Sequence, residues 1–174
     1  MKRIIIVLLL IFVSTVHSQE LTWETNIDKA ISLSNKTNKP MLLFFTGSDW
    51  CGWCTKLQNE VFKTPEFAIW AKENVVLVEL DYPKRTAQEE SLKIQNRGLQ
   101  QAFGVQGYPT IWISNATSKD NNTNFEQLGK TGYIAGGPSK WMEVVDPILK
   151  NNNRILSKPV VDKPKAKTNK KKKI

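Results

Sequence analysis

Thiols and imidazoles are scarce in this 174-residue chain, which holds two cysteines and one histidine. Two thiols cannot make a four-thiolate zinc site or a multi-disulfide scaffold. The histidine, His17, lies in a leader-like segment, and without that segment none remains. Ser-His-Asp and Cys-His catalysis would then lack a base, and histidine-based zinc sites would lack ligands. Positive charge is also missing where a nucleic-acid groove would need it. Of the formal +9, Lys2 and Arg3 supply two, and eight lysines against Asp162 in 158–174 supply seven. Residues 19–157 are therefore neutral, and a nucleic-acid partner is not expected. No apolar run approaches the ~20 residues of a spanning helix.

The apolar run that does exist, Ile4–Val13, follows Met1-Lys2-Arg3 and precedes Ser14-Thr15-Val16-His17-Ser18. This is the layout of a secretory signal peptide over 1–18, with Val16 and Ser18 placed for cleavage before Gln19. Export is expected, to the periplasm of a Gram-negative bacterium or otherwise to the exterior. At the other end, the Lys- and Pro-rich stretch 158–174 cannot bury apolar surface and reads as a disordered tail. Its lysines could meet an anionic envelope surface, or serve only solubility. Three Asn-x-Thr triplets, at Asn35, Asn115 and Asn121, are read as coincidental in so Asn- and Thr-rich a chain.

Between these ends, 19–157 reads as one domain. The periodicity predicts a helix over 23–38, with Trp23, Ile27, Ala30, Ile31 and Ser34 on one stripe, stopped by Lys39-Pro40. Met41–Phe45 is an unbroken apolar run that suits a strand buried on both faces. A helix holding Cys51, Cys54, Leu57, Val61 and Phe62 is expected next, capped by Ser48 or Asp49. It restarts or kinks at Thr64-Pro65. Val75–Leu80 is a second strand. Thr86–Glu89 has capping-box spacing for another helix, which Gly98 could interrupt. Thr110–Ile113 is a third strand, Ser114–Asn124 a hairpin loop, and Phe125–Leu128 a fourth strand. Gly129, Gly132, Gly136 and Gly137 mark turns, and Pro138 opens a last helix. The order predicts an α/β fold with a mixed sheet flanked by helices. Trp23, Trp70, Trp112 and Trp141 fall at core-facing positions, whereas Trp50 and Trp53 should stay partly exposed.

Trp50-Cys51-Gly52-Trp53-Cys54 sets two thiols three residues apart at a helix start. Such residues share a helix face, offset by about 4.5 Å along the axis, within reach of a disulfide. Cys51, in the first turn, is favoured as an exposed thiolate, while Cys54 lies nearer the core. That asymmetry suits thiol–disulfide exchange. A structural disulfide, a metal site with outside ligands, and inert thiols are the competing readings. Tyr108-Pro109-Thr110 puts a proline just before a strand, where a cis bond and an ordinary trans proline are both open.

The segment from Phe44 to Cys54, with Phe103–Thr110 some fifty-five residues on, resembles the thioredoxin superfamily. Within it, the likeness is to exported thioredoxin-like proteins and to the C-terminal domain of the thiol:disulfide interchange protein DsbD. The resemblance covers about residues 23–150. It implies a thioredoxin-like fold, with Cys51 as nucleophile and Cys54 as resolving thiol. Pro109 would be the cis-proline facing the pair, and the Tyr108 backbone a strand edge for extended substrates. Trp50 would stand beside the nucleophile, and Gly132 would match the glycine of the adjacent loop. Where thioredoxins carry a buried aspartate on the preceding strand, this chain has, by that matching, Phe45. Glu79 on the neighbouring strand is the candidate replacement proton acceptor, set against the plainer reading of a solvent-facing edge residue. Residues 81–99 are longer than in a minimal thioredoxin and are read as an extended helix.

The expected activity is exported thiol–disulfide oxidoreduction, with reduction of protein disulfides foremost. An oxidase or isomerase of the same fold is the alternative, and a non-catalytic binding module or a metallochaperone the alternatives of another class. Protein disulfides and a thiol electron donor would be the partners, the Cys51–Cys54 pair the only redox group, with no cofactor or metal, and the state monomeric.

Overall fold

The computed structural model describes residues 21–119 and 122–156. The leader at 1–18 and the tail at 158–174 lie outside the described residues. The architecture is a four-stranded mixed sheet with helices on both faces, as the element order predicts. β1 (Met41–Thr46) pairs in parallel with β2 (Val76–Asp81) and antiparallel with β3 (Thr110–Lys119), which pairs antiparallel with β4 (Asn122–Thr131). The strand order is β2-β1-β3-β4.

All six residues of β1 are buried, which explains its unbroken apolar run. Leu42 and Phe44 face the layer made by α2 (Gly52–Leu57), the π-turn Gln58–Phe62, α3 (Pro65–Asn74) and α5 (Gly137–Leu156). Met41, Leu43 and Phe45 face α1 (Ile27–Thr37) and α4 (Glu90–Ala102). The period-2 alternation of a strand thus splits one apolar run between two cores. In the first core Trp141 is wholly buried, with Phe62, Phe67 and Trp70 edge-on around it. Trp23, Trp70 and Trp112 are half-buried and packed on the two cores.

Several expectations are corrected by tertiary contacts. The first helix begins at Ile27, with Asn26 as its cap, so Trp23 is not on its stripe. Residues 23–24 instead lie along the outer edge of β2: the Glu24 amide donates to Leu77 O, and the Glu79 amide to Glu24 O. Those edge groups need partners, and an extended segment supplies them. Trp23 then packs on Phe44 and Phe62.

Thr64 caps α3 with Pro65 following, as predicted, but one π-turn separates that helix from α2. The capping box at Thr86 does not form. Residues 82–89 are loop, α4 starts at Glu90 without a side-chain cap, and Gly98 sits inside it without breaking it. Buried Leu99 and Asn96 dock that helix, and docking outweighs the propensity cost of one glycine. The hairpin loop is also far shorter than Ser114–Asn124. β3 and β4 stay paired through Lys119 and Asn122, with an irregularity at Ile113/Ser114. Gly129 belongs to β4 rather than to a turn, and a Cβ there would stand 2.9 Å from Ile148 Cδ1.

Replacing Trp141 by Ala removes the hub of the first core, and a loss of about 3–5 kcal/mol in a urea titration is expected.

Candidate active site

The turn that leaves β1 places the two cysteines. Gly47 O accepts hydrogen bonds from the Trp50 and Cys51 amides, and the chain enters α2 with Cys51 itself as the helix cap. Its Sγ accepts from the Cys54 amide at 3.2 Å. Cys51 and Cys54 are joined as a disulfide with Cα atoms 5.2 Å apart, close to the separation expected from helix geometry. Both are more covered than predicted for the first: Cys51 is 6% exposed and Cys54 1%. Trp50 and Tyr108, both half-buried, pack against the core cluster that contains the two cysteines.

Neither Ser48 nor Asp49 caps α2. Ser48 is drawn across to the end of β2, and Asp49 to the loop that follows it. The Ser48 amide and hydroxyl donate to the two oxygens of Asp81, at 2.8 and 2.6 Å. The Asp49 carboxylate accepts from the amides of Lys84, Arg85 and Thr86 at 2.7–2.9 Å. That explains the missing capping box, since the Thr86 amide is held outside the helix. The amides, led by that of Lys84, hold the Asp49 pKa down at about 2, below its ordinary 3.8. Trp50 Nε1 donates to Tyr82 O at 2.8 Å, and the Tyr82 hydroxyl donates to Asn96 O. The residues before the disulfide and the loop beside them are thereby one rigid piece.

The Tyr108–Pro109 bond is cis, which settles the alternative left open by the sequence. The Tyr108 ring meets Trp50 edge-on at 5.5 Å. Gly132 stands against this loop: a Cβ would lie 3.4 Å from Pro109 O. Trp141 Nε1 donates to Gly132 O, so the hub of the core also anchors the loop next to Pro109. Trp53 is 60% exposed, with the Tyr133 ring 5.2 Å away. The Tyr133 hydroxyl donates to Glu60, which also pairs with Lys56. That bond lowers the Glu60 pKa and raises the Tyr133 pKa. The structure therefore gathers Cys51, Cys54, Trp50, Tyr108 and Pro109 at one place, with Trp53 at its outer rim.

These features coincide with a family match. Residues 27–123 match the model of a thioredoxin-like domain. Over 135 residues the chain is 33% identical to the disulfide bond reductase DsbH of Chlamydia pneumoniae, covering 78% of this chain and 76% of that protein. The chain belongs to the thioredoxin-like family. A solved structure of a DsbH oxidoreductase superposes with a TM-score of 0.65 and 31% identity, over 75% of this chain and 85% of that one. A Thermus thermophilus thioredoxin shares the fold alone, at a TM-score of 0.56 and 14% identity, over 79% and 93% of the two chains.

Within this thioredoxin-like domain the position of the missing aspartate needs correcting. Phe45 points away from the disulfide, into the core with α1 and α4. Phe44 is the residue on the disulfide's face of the sheet. Its register partner on β2 is Glu79, and paired residues share a face. Glu79 is half-buried rather than solvent-facing. It lines a cleft of about 380 Å³ with Trp23, Phe44, Gln58 and Phe62. Burial, with a smaller contribution from Asp81, raises its pKa. Among the described residues no group of three or more His, Cys, Asp or Glu is arranged to hold a metal.

Asp81 and Tyr133 were not singled out by sequence reasoning, and Asp49 was read only as a candidate helix cap. An acid between a strand end and a CxxC was the available signal for Asp49. Its partners are amides thirty-five residues away, and only the fold brings them close.

The Asp49 pKa is depressed in the folded protein. Its contribution to stability is therefore present above about pH 3.8 and lost as pH falls through about 2. The difference in urea midpoint between wild type and Asp49→Asn should be constant above about pH 4 and shrink toward pH 2.

Proposed function

We propose that this thioredoxin-like protein is an exported thiol–disulfide oxidoreductase of the cell envelope that reduces protein disulfides. The observation that carries the reading is the Cys51–Cys54 disulfide at the start of α2, beside a cis Tyr108–Pro109 bond. The likeness to a protein named as a disulfide bond reductase supports the direction.

In the reduced form, the Cys51 thiolate attacks one sulfur of a substrate disulfide. A mixed disulfide forms, and the other substrate sulfur leaves as a thiolate and takes up a proton. The Cys54 thiol loses its proton and attacks Cys51 Sγ, which expels the second substrate thiol. Two electrons have then passed to the substrate, and the pair is left oxidised, the state of this structure. A dithiol donor restores it by the reverse exchange. The cysteine pair is the whole redox apparatus.

Local geometry suits these roles. The Cys54 amide already points at Cys51 Sγ, and such a bond favours the thiolate. Cys54, the more deeply buried, is kept from outside disulfides and meets only a partner already joined to Cys51. An extended substrate segment would lie along the Tyr108 backbone, with Trp50 and Trp53 as its flanks. Glu79, on the same sheet face with a raised pKa, is assigned as acceptor of the Cys54 proton.

Two sets of measurements test this. Cys51→Ser should abolish reduction of a peptide disulfide, and Cys54→Ser should accumulate a mixed disulfide. The reduction potential should fall nearer the thioredoxin value of about −270 mV than the DsbA value of about −120 mV. A potential near the latter would make the protein an oxidant. Glu79→Gln should slow release of the mixed disulfide by about tenfold or more and flatten its pH dependence. Single-turnover rates equal to wild type at every pH would end that assignment.

A further inference from the structure

The charged groups around α2 and the β2–α4 loop differ in how they are held. Asp49 is engaged by three amides, Asp81 by Ser48, and Glu60 by Tyr133 and Lys56. The cations of the β2–α4 loop are not. Lys84 and Arg85 are exposed, and neither pairs with a carboxylate among the described residues. Lys84 does have a fixed place, with its Nζ 3.9 Å from the centroid of the Trp50 ring. That ring is itself pinned by its bond to Tyr82 O and by the edge contact with Tyr108. An ammonium group is thus seated over Trp50, the residue that precedes Cys51 and meets the Tyr108 ring. On the Trp53 side, the corresponding cation, Lys56, is already bound to Glu60.

We propose that Lys84, with Arg85, forms a subsite for acidic side chains, so that the protein prefers disulfides in acidic peptide segments. This rests on the reductase reading above. An extended segment crossing the Tyr108 backbone with its disulfide at Cys51 would bring a flanking carboxylate over the Trp50 face. There it meets an ammonium whose position is set before binding, so little side-chain freedom is lost on contact. Asp49 is what gives the subsite its shape. By accepting from the amides of 84–86 it engages its own carboxylate on the loop backbone, and the side chains of Lys84 and Arg85 stay exposed. The attraction acts across solvent, so it steers encounter and weakens with salt.

The test is a single-turnover experiment, in which pre-reduced full-length protein needs no electron donor. It meets three disulfide-bonded peptides, identical except that the residues flanking the disulfide are Glu, Gln or Lys. The expected rate order is Glu, then Gln, then Lys. The Glu-to-Lys ratio should be about fivefold at low salt and close to one in about 0.5 M NaCl. In the double variant Lys84→Glu, Arg85→Glu, at two exposed positions, the order should reverse. Equal rates for the three peptides at low salt, or an unchanged ratio in the variant, would overturn the subsite. A uniform fall for all three would do so too, because it would mean that Lys84 acts on the nucleophile. If the dithiol form, checked by alkylation, reduces none of the peptides, the reductase reading fails and the subsite falls with it.

Discussion

The side chains of β1 are buried on both faces of the sheet, so the strand can neither slide nor rotate without exposing one core or the other. A one-residue slip would exchange Leu42 and Phe44 with Leu43 and Phe45 between layers already packed to their shapes. The point at which the chain leaves that strand is therefore fixed. From there the Gly47 carbonyl, holding the Trp50 and Cys51 amides, decides where Cys51 stands. The disulfide, the first turn of α2 and the loop clamped by Asp49 all follow from that exit.

Stability and chemistry meet in two residues. Trp141 fills the first core and also holds Gly132, and with it the loop against Pro109. Asp49 secures the neighbouring loop through backbone amides, which any side-chain sequence at 84–86 other than proline would supply. The side chains there are consequently free to differ, and in this chain they are Lys84 and Arg85. Rigid backbone with open side-chain choice is the usual arrangement for a binding loop on a fixed scaffold.

The disulfide face differs from the thioredoxin pattern in one respect that bears on proton movement. An aromatic ring, Phe44, lies where a carboxyl would be expected, and the nearest strand position bearing a carboxyl is its register partner Glu79. A group on an edge strand, half-buried beside a cleft, is easier to hydrate than one beneath the pair. Burial still raises its pKa, which makes it a better proton acceptor than an ordinary carboxylate.

Much of this was legible in one dimension, and the reason is locality. The buried strand, the proline-led restart at Thr64-Pro65 and the spacing of Cys51 and Cys54 are set by residues within a few positions of one another. Strand and helix periodicity record such relations directly. Where the sequence misled, a distant partner had taken a backbone group. The edge of β2 took up residues 23–24, Asp49 took the amides that a capping box would have needed, and β4 kept pairing with β3 through a stretch rich in loop-forming residues. The face to which each aromatic points was also out of reach: Phe44 and Phe45 are adjacent and alike, and only the layers packed around β1 assign one to the disulfide. Sequence alone determined the thiol pair, its place at a helix start and the absence of histidine from residues 19–157. Tertiary structure decided the cis bond at Pro109, the partner of Asp49 and the company of Glu79, because each depends on contacts between segments that the chain order keeps far apart.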